Sequence, residues 1–200
     1  NITDKNKAQY NLDLHARSLQ LGKLMQNPQL GILNGDFKVK GKGYDPKTAS
    51  ANFVASISTV TLNNYTYSNI DATGSIGNKL FKVNATAHDP NLEGSIIASG
   101  EFADKFPSIH VNAPIDSIKT LPLHFTPNKV VYHGHIEGDF ANTNPDDLAG
   151  NLLVTHSILV TDSQRITIDT LKVLADNSNG MHSLTLQSDF FSATIRGQYK

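Results

Sequence analysis

The sequence predicts an all-β fold, an elongated, stacked sheet of tandem repeats. Short runs rich in Val, Ile, Thr, Tyr and Phe alternate apolar and polar residues with the period of two that is typical of a half-buried strand. Clusters of Gly, Asn, Asp and Pro separate these runs at close spacing. The third observation is an internal repeat, and a repeat of this kind favours units that pack on their neighbours.

The repeat has an offset of 99 residues. The glycine-led segment at 35–39 and Pro46 in the first copy match the segment at 134–138 and Pro145 in the second. We therefore divide the chain into a first β-repeat at 1–104 and a second at 105–200, continuous with the first as one elongated domain. An elongated sheet is favoured over a compact sandwich because consecutive strands lack the long returning connections of a Greek key.

The elements follow in chain order. At most one short helix is expected, near 18–26, where Leu21, Leu24 and Met25 could line one face before Pro28. Alternating strands follow in the first repeat, for example at 53–57 and 81–85. In the second repeat the clearest strands lie at 152–155, 166–168 and 184–186. One face of each of these strands is apolar.

Composition excludes several functional classes. Lys plus Arg (17) nearly cancels Asp plus Glu (18), and no long basic block marks a nucleic-acid partner. The absence of cysteine removes disulfide frameworks, thiolate zinc sites and cysteine nucleophiles. No apolar run approaches the roughly 20 residues of a membrane helix. Because the chain starts at Asn1 and stops in a strand-like segment, we expect it to be part of a longer protein.

The only enzymatic candidate is a possible metal site on one strand. His133, His135 and Glu137 are spaced at i, i+2 and i+4, so they share a strand face and could present three metal ligands. The repeat places Asn34, Asp36 and Lys38 at the equivalent positions, and lysine is a poor ligand. We therefore favour an exposed polar face without metal or other cofactor, and we expect no catalytic residue, since no nucleophile elbow or phosphate-binding loop is present.

The order of the motifs in the second repeat resembles the TamB and AsmA-like envelope proteins, most closely the TamB-type (translocation and assembly module) proteins of Bacteroidetes. The resemblance rests on Asn-Pro-Asp-Asp-Leu-x-Gly at 144–150, Ser-Gln-Arg-Ile-Thr-Ile-Asp-Thr-Leu-Lys-Val at 163–173, Leu-Thr-Leu-Gln-Ser-Asp-Phe at 184–190 and Ala-Thr-Ile-Arg-Gly-Gln-Tyr at 193–199. The first copy has the same order in weaker form and departs from it at 47–50, where the second has Asp-Asp-Leu-Ala.

The resemblance implies an elongated curved sheet that forms an open, U-shaped (β-taco-like) groove in the periplasm, with an inner-membrane anchor outside this chain. Such proteins are thought to carry phospholipid toward the outer membrane, and the family is also linked to outer-membrane protein assembly through an Omp85-type barrel partner. The apolar groove would hold acyl chains, which gain about 0.8 kcal/mol for each buried CH₂.

The period-two apolar positions are the candidate lining of this groove. They are Phe53, Ala55, Ile57, Phe81, Val83, Ala85, Leu152, Val154, Ile158, Ile166, Ile168, Leu171, Val173, Leu184, Leu186, Ala193 and Ile195. The competing interpretation is that they form an ordinary sealed core in a secreted or cell-surface scaffold or adhesin module. A register error of one residue would move any strand's lining to the other face.

Overall fold

The computed structural model describes residues 8–43, 49–103, 106–144, 147–178 and 181–197, which form one antiparallel sheet of twelve strands. Each strand pairs only with its neighbours in sequence, so the sheet is open. The strands are β1 (Gln9–Gln20), β2 (Leu30–Lys42), β3 (Ser50–Leu62), β4 (Tyr65–Gly77), β5 (Leu80–Asp89), β6 (Leu92–Glu101), β7 (Ile109–Lys119), β8 (Val130–Asn142), β9 (Ala149–Thr161), β10 (Arg165–Ser178), β11 (Met181–Ser188) and β12 (Ser192–Gly197). The predicted all-β, open and elongated sheet is confirmed.

The described residues contain one helix, α1 (Leu21–Met25), which is shorter than the predicted segment. Residues 18–20 belong to β1 instead. The helix ends at Gln26, which has left-handed backbone angles (φ 53°, ψ 37°). The N–H of Asn27 then donates to the carbonyl of Gly22 at 3.0 Å, and Pro28 prevents continuation.

Asparagine residues make the tight turns in the first half of the sheet. Asn63 and Asn64, between β3 and β4, both have positive φ angles (49° and 65°). Asn78 and Lys79, between β4 and β5, also have positive φ angles (51° and 64°). Two successive positive φ angles define the turn whose twist matches the twist of a β-hairpin, and asparagine tolerates this conformation well.

The first six strands correspond in order to the last six. β2 and β8 each have 13 residues, as do β3 and β9. A connection rich in apolar residues follows β1 and β7: it holds α1 in the first case and the turn at 120–126 in the second. Leu123 in this turn is fully buried.

The sheet has an apolar face and a polar face. The apolar face carries, for example, Phe53 and Ala55, and the polar face carries their neighbours Asn52 and Val54. Ala55 is 5% exposed although no second sheet lies over it, whereas Val54 is 52% exposed. The apolar face is therefore the more sheltered side at the centre of the first repeat, where Ala55 lies, whereas at the sheet edges Leu12 and Ile195 on the same face are 50% and 64% exposed.

A line of β-bulges crosses the sheet at one level. The register shifts between Ala16 and Leu19 on β1, and between Ile115 and Ile118 on β7. Two further strand residues with left-handed backbone, Asn69 on β4 and His156 on β9, lie at the same level of the register. Because a bulge bends its strand, aligned bulges bend the whole sheet along one line, which we call the crease.

The best-packed core lies along the crease in the first repeat. Ala16, Leu33 and Val60 are buried there. Partly buried residues pack against them from both sides of the crease and from the helix, including Phe37 and Leu21. The crease is thus held by apolar packing, and α1 lies at the rim beyond it.

Candidate functional site

A central row of uncharged residues crosses all twelve strands on the apolar face. Each member is the direct register partner of the next, so the row is continuous. It consists of Leu12, Val39, Phe53, Gly74, Val83, Ala98, Val111, Gly138, Leu152, Val173, Leu186 and Ala193. No sequence motif connects these residues; strand pairing alone aligns them.

Two further rows flank the central row on the same face. The row on the crease side contains Leu14, Phe37, Ala55, Ala72, Ala85, Ile96, Ala113, Ile136, Val154, Leu171 and Ser188. The row on the far side contains Tyr10, Gly41, Ala51, Ile76, Phe81, Gly100, Ile109, Phe140, Gly150, Ala175, Leu184 and Ile195. None of these positions in the three rows carries a charged side chain or a histidine.

The polar face has the opposite character. The row beside the central row there contains Asn11, Lys40, Asn52, Ser75, Lys82, Ser99, His110, Asp139, Asn151, Leu174, Thr185 and Thr194. Only Leu174 in this row is apolar. The period-two alternation therefore separates the two faces across the whole sheet rather than in single strands.

The apolar rows are large for a surface feature. With about 4.8 Å between strands and 3.4 Å per residue, they extend roughly 53 Å across the sheet and 14 Å along the strands. The rows therefore span a footprint on the order of 700 Å² of the sheet. Contiguous exposed apolar surface of this kind is typical of a binding surface.

The predicted lining residues lie on this face, with one correction. Those in the three rows are Phe53, Ala55, Phe81, Val83, Ala85, Leu152, Val154, Leu171, Val173, Leu184, Leu186, Ala193 and Ile195, while Ile57, Ile166 and Ile168 lie on the same face at or beyond the crease. Ile158 instead pairs with His133 on the polar face. His156 (φ 51°) adds one residue between Val154 and Ile158 and so reverses the alternation.

Several lining residues were missed by sequence reasoning. They are Leu12, Leu14, Ile76, Ala98, Val111, Ile136 and Phe140. Period-two alternation was a usable signal for Leu12, Leu14, Val111 and Ile136, which lie between polar neighbours, but not for Ala98, which follows Ile97, or Phe140, which precedes Ala141. The reversal at His156 also had a signal, because Thr155, His156 and Ser157 form a polar run that interrupts the alternation.

A buried carboxylate fastens the strands at the edge of the apolar face. Asp89, at the end of β5, is 4% exposed. It accepts hydrogen bonds from the hydroxyl of Tyr65 (2.6 Å), from the N–H and hydroxyl of Ser68 (2.8 and 2.9 Å), and from the N–H of Asn91 (2.8 Å). Burial alone raises the pKa of Asp89, but the hydrogen bonds from Tyr65, Asn91 and Ser68 outweigh it and lower the pKa below its ordinary value.

A second polar contact lies in the crease of the second repeat. The hydroxyl groups of Tyr132 and Ser157 are 3.0 Å apart, and Ser157 is fully buried. Both lie beside Gly134, where a Cβ would come within 2.5 Å of Tyr132 Oη and 2.7 Å of Ser157 Oγ. The crease of the second repeat is thus packed around a hydrogen-bonded pair and a glycine.

The histidines considered as metal ligands lie on the polar face. His135 Nε2 is 3.5 Å from a carboxylate oxygen of Glu137 and 3.2 Å from the amide oxygen of Asn112. His133 Nδ1 contacts the backbone carbonyl of Asp116 instead. Among the described residues, no group of three or more His, Asp or Glu side chains is arranged to hold a metal ion.

Pairs of histidine and carboxylate recur on the polar face. His15 pairs with Asp36 at 2.7 Å, and His88 pairs with Glu93 at 2.6 Å. The hydrogen bond from His15, followed by that from Arg17, lowers the pKa of Asp36. These groups are well exposed, so their ion pairs contribute little to stability.

Within the part of the chain that the structure describes, no helix has the length and apolar character needed to cross a bilayer. Comparison with protein-family models, with characterised proteins and with solved structures found no match to this chain.

Proposed function

We propose that this chain is a non-catalytic segment of a TamB-like bridge protein whose apolar groove conducts phospholipid between the inner and outer membranes. The observation that carries the proposal is the uncharged apolar face, which continues across all twelve strands and which no second sheet among the described residues covers. A sealed scaffold of this size would cover such a face with a second sheet or helices. In this proposal the chain lies in the periplasm, and the membrane anchor lies elsewhere in the protein.

In this proposal, acyl chains partition from water into the groove without specific contacts. Full burial of a CH₂ group stabilises it by about 0.8 kcal/mol, so an open groove that covers half of a chain gives roughly 0.4 kcal/mol per CH₂. Because the apolar rows repeat from strand to strand, the binding free energy of an acyl chain changes little as it moves along the groove. Such a surface favours sliding over fixed binding, and it requires no catalytic residue.

The proposal also includes a role in outer-membrane protein assembly through an Omp85-type barrel partner of the full-length protein. That role follows from the family resemblance of the motifs at 144–150 and 163–173. The groove itself supports only the lipid role, since acyl chains and not folded proteins match its chemistry.

The test is photocrosslinking in cells that express the full-length protein. A photoreactive phenylalanine analogue replaces Phe53 in one variant and Val54 in a matched variant, because these neighbours are both apolar but lie on opposite faces. Phospholipid adducts at position 53 and not at 54 are the expected result. The same pattern is expected for Leu184 and Thr185 in the second repeat. Absence of lipid adducts at both positions 53 and 184, with the protein folded, would favour the sealed scaffold or adhesin module instead.

A further inference from the structure

Aromatic side chains of the apolar face lie over glycines of the next strand. Four pairs of direct register partners have this arrangement: Tyr10 with Gly41, Phe53 with Gly74, Phe81 with Gly100, and Phe140 with Gly150. A Cβ at Gly74 would lie 2.5 Å from Phe53 Cζ, and a Cβ at Gly100 would lie 2.9 Å from Phe81 Cζ. At Gly41 and Gly74 the ring is the nearest obstacle to an added Cβ, whereas at Gly100 and Gly150 a backbone carbonyl, of Ser108 or Asp139, is nearer than the ring.

The rings lie low on the sheet and stay accessible. Each of the four aromatic residues is half-buried, so the glycine side is covered while part of the ring meets solvent. A side chain that stood upright in a sealed core would be covered on all sides. These rings form flat plates on the floor of the groove, which we call the aromatic plates.

The aromatic plates are regularly spaced in the first repeat. They start from β1, β3 and β5, and each covers the following strand. At about 4.8 Å per strand, successive plates are roughly 10 Å apart. A fourth plate joins β8 and β9, and the last three strands carry aliphatic side chains on this face instead.

From this geometry we propose that the aromatic plates are the contact sites for linear alkyl chains, and that the glycines beneath them set the depth of the groove. The inference rests on the proposed lipid function and adds the residues that determine fit. Replacing Gly74 would lift the Phe53 ring into the groove, because the space beneath the ring is lost.

The chemistry of the floor favours an alkyl chain over a peptide. A peptide laid across the plates would bury backbone N–H and C=O groups against rows that offer no charged partner, and each unpaired group costs free energy. An alkyl chain has no such groups and packs well on a ring face. Since the three rows carry no charge, they also offer nothing to hold a headgroup, which would remain in solvent at the open mouth.

The test compares two glycines of the same strand. Gly74→Ala places a methyl group against the Phe53 ring and 2.7 Å from the Lys82 carbonyl oxygen, whereas at Gly77 a Cβ meets only Ser50, at 3.2 Å from its Cβ and 3.7 Å from its Cα. The probe is the fluorescent fatty acid cis-parinaric acid, titrated into the purified chain, with circular dichroism as the check on folding. Displacement of the ring is expected to weaken binding about tenfold in Gly74→Ala, and Gly77→Ala should match the wild type.

A second variant covers the case in which Gly74→Ala does not fold. Phe53→Leu removes the plate without adding volume, and weaker binding of the probe is again expected. Wild-type affinity in Phe53→Leu, or equal affinities in the two folded alanine variants, would overturn the role of the plates while leaving the lipid function intact. A wild-type chain that binds no probe would overturn the proposed function and this inference together.

Discussion

The buried carboxylate of Asp89 allows a quantitative test of what fastens the strands at the edge of the groove. Asp89→Asn keeps the shape of the side chain but removes its charge and turns one acceptor oxygen into an N–H₂ donor. Four donor groups now point at this carboxylate, from Tyr65, Ser68 and Asn91. At least one of them must lose its acceptor in the variant, because an amide has a single oxygen.

The expected loss of stability is about 3 kcal/mol. Hydrogen bonds to a charged group contribute about 1.5–3 kcal/mol each, neutral ones about 0.5–1.5, and a buried donor without an acceptor costs about 1–3. For a chain of this length, 3 kcal/mol lowers the melting temperature by roughly 6–12 °C. Differential scanning calorimetry at pH 7 measures this shift. The matched control is Asp162→Asn, which removes an exposed ion pair with Lys129 and should cost less than about 1 kcal/mol.

The effect of Asp89→Asn on stability should depend on pH, and the direction of the pKa shift decides how. The pKa of Asp89 is lowered by folding, so the unfolded chain binds the proton more readily than the folded chain does. The stabilisation is therefore complete above the unfolded value of about 3.9 and is lost as the pH falls through the lower, folded value. The difference in melting temperature between wild type and Asp89→Asn should be constant near neutral pH and should become smaller below about pH 4. Equal melting temperatures at pH 7, or a gap that persists unchanged in acid, would refute the reasoning.

Three further predictions concern the two faces of the sheet, the lipid headgroup and the packing of the crease. Val83→Glu should abolish phospholipid adducts at position 53, since it puts a charge in the central row. Val54→Glu on the polar face should leave these adducts unchanged, and equal effects of the two substitutions would contradict the assignment of faces. Lysophospholipids that share one acyl chain but carry zwitterionic or anionic headgroups should bind the purified chain with affinities within about twofold by calorimetry, and a strong headgroup preference would argue against the uncharged floor as the site. Gly134→Ala should destabilise the chain by about 1–3 kcal/mol in urea unfolding, because its Cβ would collide with Tyr132 and Ser157, while Gly77→Ala serves as the neutral control.

Much of the groove was predictable from sequence because strand alternation is a local property. Phe81 and Val83, or Leu184 and Leu186, share a face whatever their partners are, so the period of two places them correctly. The failure at Ile158 has a specific cause. A bulge at His156 adds a residue, and no periodicity reports whether a polar run will be accommodated as a bulge or as a break in the strand.

The aromatic plates could not be predicted at all. Phe53 and Gly74 are separated by 20 intervening residues, and only the register of β3 and β4 makes them partners. The same is true of Asp89, whose donors Tyr65 and Ser68 lie on another strand. Aspartate followed by proline predicts a turn, and nothing in that local pattern indicates a buried charge.

The sequence by itself determined the class of this protein: its alternation, turn residues and repeat are local signals that dictate strands, hairpins and an all-β sheet. The tertiary structure decided which residues stand side by side across twelve strands, where the crease bends the sheet, and which face is sheltered. The physical reason is that pairing register and bulges depend on contacts between strands distant in sequence, and these contacts turn alternating residues into one continuous apolar surface.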